Sequence, residues 1–290
     1  MPHLADTWPT TAEPLPRQVR EQDYWDAWYE HPDGNFEWQD GHLQEVPVSD
    51  WLTGQVSLWL IELLLHYLRR DPAAELFLFE MGFRLALPGG KVSIRKPDLG
   101  LVLRDNPVQG RDRENRYRGI PDLLIEALSD STAANRRRDE VIKKGEYAAV
   151  GVPEYYILHH ESDRLAFYTR AASGLYVPML PQDGVIHSRV LPGFRFRPAD
   201  LLRRPSTTRL RDDPVYRDFV HPEWQAAEAL AEQAMHAREA AEAQVAEAHR
   251  ARIAAEAQAA QEQRARIAAE AEVARLKALL QSRGPDLDDD

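Results

Sequence analysis

Two carboxylates stand where strands ordinarily carry apolar groups. In Lys96-Pro97-Asp98-Leu99-Gly100-Leu101-Val102 an acid opens a hydrophobic strand, and in Pro121-Asp122-Leu123-Leu124-Ile125-Glu126-Ala127-Leu128 another interrupts one near its end. A carboxylate isolated between Ile125 and Leu128 is costly unless a cation, a metal or hydrogen bonds compensate. Two acids converging from neighbouring strands repel each other; a hard divalent cation such as Mg²⁺, or Mn²⁺ in its place, removes the repulsion and accepts their oxygens. A lysine nearby would orient or help deprotonate a water and stabilise charge developing at phosphorus. Lys143 and Lys144, on the helix expected after the Glu126 strand, are the available cations. The same residues admit a structural reading, in which Asp98 caps a turn and Glu126 pairs with a surface lysine, and the residues alone leave both open.

The elements that must position these groups follow from periodicity. From Gln55 to Arg70 the residues Val56, Leu60, Leu63, Leu64 and Tyr67 recur at helical spacing, and Asp71-Pro72 supplies a stop. Leu76-Phe77-Leu78-Phe79, Phe83 to Leu87 and Asp98 to Leu103 read as strands in hairpin arrangement, the second ended by Pro88-Gly89-Gly90. A strand over Leu123 to Leu128 precedes a helix from about Asn135 to Val150, then strands at Tyr155 to Leu158 and Arg164 to Tyr168. The intervening helix predicts a crossover joining parallel neighbours in an α/β domain.

Composition narrows the alternatives. The 290 residues are 43% hydrophobic, 29% charged and 9% aromatic, which suits a globular chain. Cysteine is absent, so thiolate zinc sites, thiol nucleophiles and disulfides are excluded and a reducing cytoplasm is the expected location. The longest apolar-dominated stretch, Val56 to Leu68, is too short to span a bilayer, and the N-terminus shows no secretory pattern. Gly-x-Ser-x-Gly is missing, and Pro88-Gly89-Gly90-Lys91 lacks the spacing of a phosphate loop. His159 and His160, adjacent in an expected strand, would point to opposite faces and so could not share a metal. The net charge of −11 argues against nucleic-acid coating along the whole length.

Five segments are expected: an N-terminal extension over 1–34, a domain over 35–202, a linker over 203–222, a helix over 223–281 and an acidic tail over 282–290. The helix segment has no Gly or Pro, and Arg250 to Ala257 recurs at Arg264 to Ala271. That fourteen-residue repeat lines up Ile253, Ala260, Ile267 and Ala274, as a coiled coil requires. Homo-oligomerisation through this helix, or an unknown protein partner, is expected; a solitary alanine-stabilised helix is the alternative.

Pro97-Asp98 followed by Glu126 resembles the Pro-Asp … (Asp/Glu)-x-Lys pattern of the restriction-endonuclease-like nuclease superfamily. More narrowly, Pro121 to Thr132, then Asp139, Lys143, Tyr147, Gly151-Val152-Pro153-Glu154-Tyr155-Tyr156 and Leu191-Pro192-Gly193-Phe194 resemble the Uma-two endonuclease family, with Phe36 to Leu43 similar to its opening element. The likeness spans about residues 35 to 202. It implies an α/β, restriction-endonuclease-like mixed sheet flanked by helices, joined here to the long C-terminal α-helix. It also implies that Asp98 and Glu126 bind the metal. Position 128, where the superfamily usually has lysine, is leucine; in the narrower family the lysine lies on the following helix, where Lys143 fits, four residues from both Asp139 and Tyr147. Lys144 is the fallback. Asp122 shares a strand face with Glu126 but is a turn residue more often than a ligand at that separation. Glu37 is a candidate to approach from the opening element, and Arg136, Arg137 and Arg138 to touch a phosphate backbone. The expected function is Mg²⁺-dependent hydrolysis of phosphodiester bonds in DNA, with Asp98, Glu126 and Lys143 as catalytic residues. A catalytically inactive nucleic-acid-binding protein, or a coiled-coil oligomeriser, is the alternative.

Overall fold

The structure, a computed structural model, describes residues 18–78, 80–129 and 132–282; residues 1–17 of the N-terminal extension, residues 283–290 of the acidic tail, Phe79, Asp130 and Ser131 lie outside them. Two units are distinguished, Met1–Pro222 and Glu223–Asp290. Among the described residues, no helix is long and apolar enough to cross a membrane.

Alternation along one sheet divides the larger unit into two cores. Six strands run in the order β11 (Tyr176–Pro178), β10 (Ala166–Arg170), β9 (Glu154–Leu158), β8 (Leu123–Ala127), β6 (Leu99–Leu103) and β3 (Ala74–Leu78). Because side chains alternate faces along a strand, Leu99, Leu101, Leu123, Ile125, Tyr156 and Leu158 enter one core. There they pack against Trp59, Leu60 and Leu64 of α2 (Trp51–Arg70). Val102, Leu124, Tyr155 and Ile157 enter the other. Glu126 has the parity of Leu124 and Asp98 that of Val102, so both acids belong to the second face. Gly100 lies between Asp98 and Val102 in the chain and opposite Phe77 on β3: a Cβ there would meet the Phe77 ring at 1.9 Å, so only glycine fits this part of β6.

The second face is covered by a helix built in three segments, α3 (Ala133–Arg137), a π-helical turn (Arg138–Lys143) and α4 (Lys144–Val150). Thr132 caps its start by accepting the Asn135 N–H. Gly151 ends it in the left-handed conformation at φ 97°. It is the crossover between β8 and β9, which pair in parallel, as the helix between two strands predicts. A five-stranded sheet, β2 (His42–Glu45), β1 (Phe36–Gln39), β5 (Val92–Arg95), β4 (Gly82–Ala86) and β7 (Arg116–Tyr117), completes this side.

Three sequence readings are corrected. The strands at 74–78 and 82–86 form no hairpin: β3 pairs with β6 in one sheet and β4 with β5 in the other, since Phe83 and Leu85 bury in the second core. Strand β5 escaped notice because its inward positions, Ser93 and Arg95, are polar yet fully buried. Residues 203–222 are no linker: Leu210, Tyr216, Phe219 and Val220 are buried in the first core, Trp59 Nε1 donates to the Pro205 carbonyl, and Arg197 holds Asp213 at 2.7 Å. Two boundaries also move. Asp50 accepts N–H groups from Leu52 and Thr53, which starts α2 one turn earlier than its apolar stripe. Near the N-terminus, Tyr24 and Tyr29 bury against Phe36, Trp38 and Ile94.

In the second unit, α7 (Pro222–Ser282) has 61 residues, roughly 90 Å at 1.5 Å per residue. Val245, Ile253 and Ile267 are exposed. Arginine–glutamate pairs at i,i+4 punctuate it, such as Arg252–Glu256 and Arg266–Glu270, each at 2.9 Å.

Candidate active site

Register brings the two strand acids together. Leu99 lies opposite Ile125 in the antiparallel β6–β8 pair, and one step further Asp98 accepts the Ala127 N–H through Oδ2 at 2.7 Å. Asp98 therefore grips the residue directly after Glu126. Its side chain reaches solvent, while the protein mass packed behind it, with Asp139 and Glu37, holds its carboxyl above the ordinary value against the pull of Lys143 and the Ala127 N–H.

The helix delivers the cation. Lys143, 1% exposed, places Nζ 3.0 Å from Glu126 Oε2, 3.0 Å from Glu37 Oε1 and 3.5 Å from Asp139 Oδ1. Tyr147, one turn on, donates to Glu126 Oε1 at 2.7 Å. Asp139, Lys143 and Tyr147 thus share one helix face across the π-helical turn. Such turns, with one extra residue per loop of helix, are frequent at functional sites.

A second tier fixes the first. Arg95 on β5 is fully buried; it donates from Nη1 to Glu37 Oε2 at 3.0 Å, and from Nε and Nη2 to both oxygens of Glu146 at 2.7 and 2.9 Å. Glu146 also accepts from Ser93 and Gln39, both at 2.8 Å. Glu37 accepts the Lys96 N–H at 3.0 Å. Arg138 pairs with Asp139 at 3.3 Å and donates to the Glu45 carbonyl at 3.0 Å.

Five carboxyl groups (Glu37, Asp98, Glu126, Asp139, Glu146) here meet three cations (Arg95, Arg138, Lys143), so that full ionisation would leave two negative charges among the described residues. The excess is unevenly borne. Burial opposes ionisation of Glu37, but Lys143, Arg95, Arg138 and the Lys96 N–H outweigh it and hold that carboxyl at about 2. Burial pushes Glu126 up to about 8, with Asp98, Asp139 and Glu37 adding to the shift and Lys143 opposing it. Burial would strip Lys143 of its proton, yet Glu126, Glu37 and Asp139 keep it charged above the ordinary lysine range. Lys143 is accordingly a fixed cation and not a proton acceptor at neutral pH.

The oxygens fit a hard dication. Asp98 and Glu126 are both held above the ordinary carboxylate range; they adjoin across neighbouring strands, and each carboxylate oxygen has more than one lone pair.

Other candidates fall elsewhere. Lys144 lies over the Tyr168 ring, 4.5 Å from its centre. Asp122 accepts from the Leu103 N–H and from Asn106, both at 2.8 Å, and so braces a turn. The reason given for separating His159 from His160 fails, because β9 stops at Leu158. Their rings stack at 4.3 Å, and one ligand atom from each lies within 4.8 Å of the others and of Asp50. Asp50 also caps α2 and receives the Thr53 hydroxyl, His159 Nδ1 accepts the Glu161 N–H, and His160 Nδ1 lies 3.2 Å from Thr53 Oγ1 and 3.3 Å from Asp50 Oδ2. Arg95 and Glu146 escaped the sequence reading; the polar inward alternation Ser93, Arg95 was the signal that could have found the arginine.

Residues 21–201 match the sequence pattern of Uma2, described as "Putative restriction endonuclease". The chain belongs to the Uma2 family. The match starts before residue 35, so the buried Tyr24 and Tyr29 lie within it, and α7 lies beyond it. A crystal structure titled as that of "a putative nuclease belonging to DUF820" from Anabaena variabilis ATCC 29413 is similar at 12% identity and a TM-score of 0.48, over 63% of this chain and 96% of that one. Comparison with curated proteins gives no match.

Proposed function

We propose that this Uma2 protein is a metal-dependent endonuclease that hydrolyses phosphodiester bonds in DNA, with Asp98 and Glu126 holding Mg²⁺ and Mn²⁺ able to replace it. The observation that carries the reading is the excess of carboxyl groups over cations where two adjoining strand acids meet beside a captive ammonium. A bound dication would supply Lewis-acid polarisation of the phosphate and a more acidic water. The chain's own groups do the rest. Glu126 would hold the dication as a carboxylate, its proton passing to solvent, and Tyr147 keeps that carboxyl oriented. Lys143, anchored from behind by Glu37, offers a permanent positive charge to a phosphate carrying extra negative charge in the transition state. Asp98, at the open edge, is the acid that solvent and substrate reach first.

The test is plasmid nicking in Mg²⁺, with and without chelator, by the wild type and by Glu126→Gln and Asp98→Asn. Loss of cleavage beyond about 100-fold is expected of a lost ligand, since outer-shell changes alone cost roughly 10- to 100-fold. Equal cleavage by all three proteins would remove the nuclease reading. We also propose self-association through α7, supported by its fourteen-residue repeat and the exposure of Ile253 and Ile267. Sedimentation of the full chain against a fragment ending at Pro222 tests it; the same state for both rejects it.

A further inference from the structure

The segment between β2 and α2 borders the acids without contributing one. Ser49 Oγ donates to the Ala127 carbonyl at 2.9 Å, while the N–H of the same Ala127 goes to Asp98 at 2.7 Å. One residue of β8 therefore ties the candidate metal ligand and this segment together. Ser129 Oγ donates to the Val48 carbonyl at 3.4 Å, and Arg138 to that of Glu45 at 3.0 Å, so the segment is pinned from the strand end to the start of the site helix.

What it displays is apolar and open. Val48 is 90% exposed, Trp51 79% and Leu52 47%. An indole left this open among the described residues has a large face to bury on a ligand. Trp51 follows Ser49 by two residues, so their Cα atoms are at most roughly 7.6 Å apart at 3.8 Å per peptide. Around the same segment, Gln44, Glu45, Asn135, Arg137 and Arg138 line a hollow of about 390 Å³, where the exposed Arg137 suits a phosphate backbone. The segment that carries the apolar platform is thus tied on one side to the Asp98-bound Ala127 and on the other to Arg138 beside the arginine-lined hollow.

We infer that Trp51 is a stacking platform for an unpaired nucleobase of the substrate strand, so that this site favours single-stranded or frayed DNA over intact duplex. The inference rests on the nuclease reading above and adds the class of substrate. An aromatic ring beside a phosphate-binding groove serves any base, because every base has a π face, and so gives strand-state preference without sequence preference. Leu58 and Leu65 continue the exposed side of α2 at seven-residue intervals, which defines the competing occupant: a second copy of the chain.

Anisotropy of a labelled oligothymidylate and of a labelled blunt duplex, titrated in Mg²⁺ with the full-length Glu126→Gln protein, provides the test. Adding Trp51→Ala is expected to weaken single-strand binding about 5- to 150-fold, the range for losing one stacked base. Trp51→Phe recovers most of that loss, and Leu65→Ala loses nothing. Single-strand affinity within about twofold of the parent for Trp51→Ala overturns the inference while leaving Glu126-dependent cleavage untouched. Equal weakening by Leu65→Ala, with a smaller sedimentation coefficient for both variants, assigns the face to self-contact and overturns it too. A parent that binds neither probe, with a wild type that nicks nothing, sinks the nuclease reading itself.

Discussion

Arginine–glutamate pairs occur in both units at nearly the same length and in opposite surroundings. Arg95 meets Glu146 at 2.7 Å with side chains 0% and 8% exposed; Arg266 meets Glu270 at 2.9 Å with 81% and 65% exposed. Distance does not rank them. Water screens the helix pair, and holding two long side chains together cancels most of its gain. No water screens the buried pair, and each member has lost its hydration, so removing one strands the other. The buried network is a fixed electrostatic frame around the acids, whereas the pairs along α7 adjust helix propensity and solubility.

That contrast is broken most sharply at Arg95. Arg95→Ala leaves Glu146 buried without its cation and Glu37 with Lys143 alone, and is expected to cost about 3–5 kcal/mol in urea unfolding; a midpoint like the wild type's would show that the frame relaxes. Glu126→Gln comes next, as a change of slope. The folded-state pKa of Glu126 stands above its ordinary 4.5, at about 8, so the carboxyl's contribution is complete below 4.5 and is lost as pH rises through about 8. In chelator, the wild type should lose melting temperature relative to Glu126→Gln between pH 5 and 8, and parallel curves would refute the assignment. Tyr147→Phe removes one buried hydrogen bond to the Glu126 carboxyl, about 0.5–1.5 kcal/mol, read by the same unfolding curves. Arg266→Ala is the smallest, below about 0.5 kcal/mol; circular dichroism of the helix should hardly change, and a large loss would mean that the pair is buried in an assembly.

The acids stood out in the sequence because apolar strands make a charged residue conspicuous, and the resemblance to the Uma-two family, together with the spacing to Asp139 and Tyr147, singled out Lys143 over Lys144. The crossover was legible for the same reason, a helix bracketed by two strands. Arg95 was not, since an arginine on a half-polar strand looks like a surface residue until a partner buries it. Nor was the fate of 203–222: Arg, Asp and Pro dominate its composition, yet Tyr216, Phe219 and Val220 fill space beside α2, and only tertiary packing discloses that. The β3–β4 pairing was misjudged because short separation favours a hairpin, while core-facing Phe83 and Leu85 are claimed by the other sheet.

The burial of 203–222 bears on how such a protein can be taken apart or recombined. The family's shared pattern ends at Leu201, but the hydrophobic interior is sealed only some twenty positions later, by Phe219 and Val220. Natural or engineered exchange of the appended helix for another module must cut after that seal, and a cut at the pattern's own edge would leave the interior open to water on the side away from Lys143.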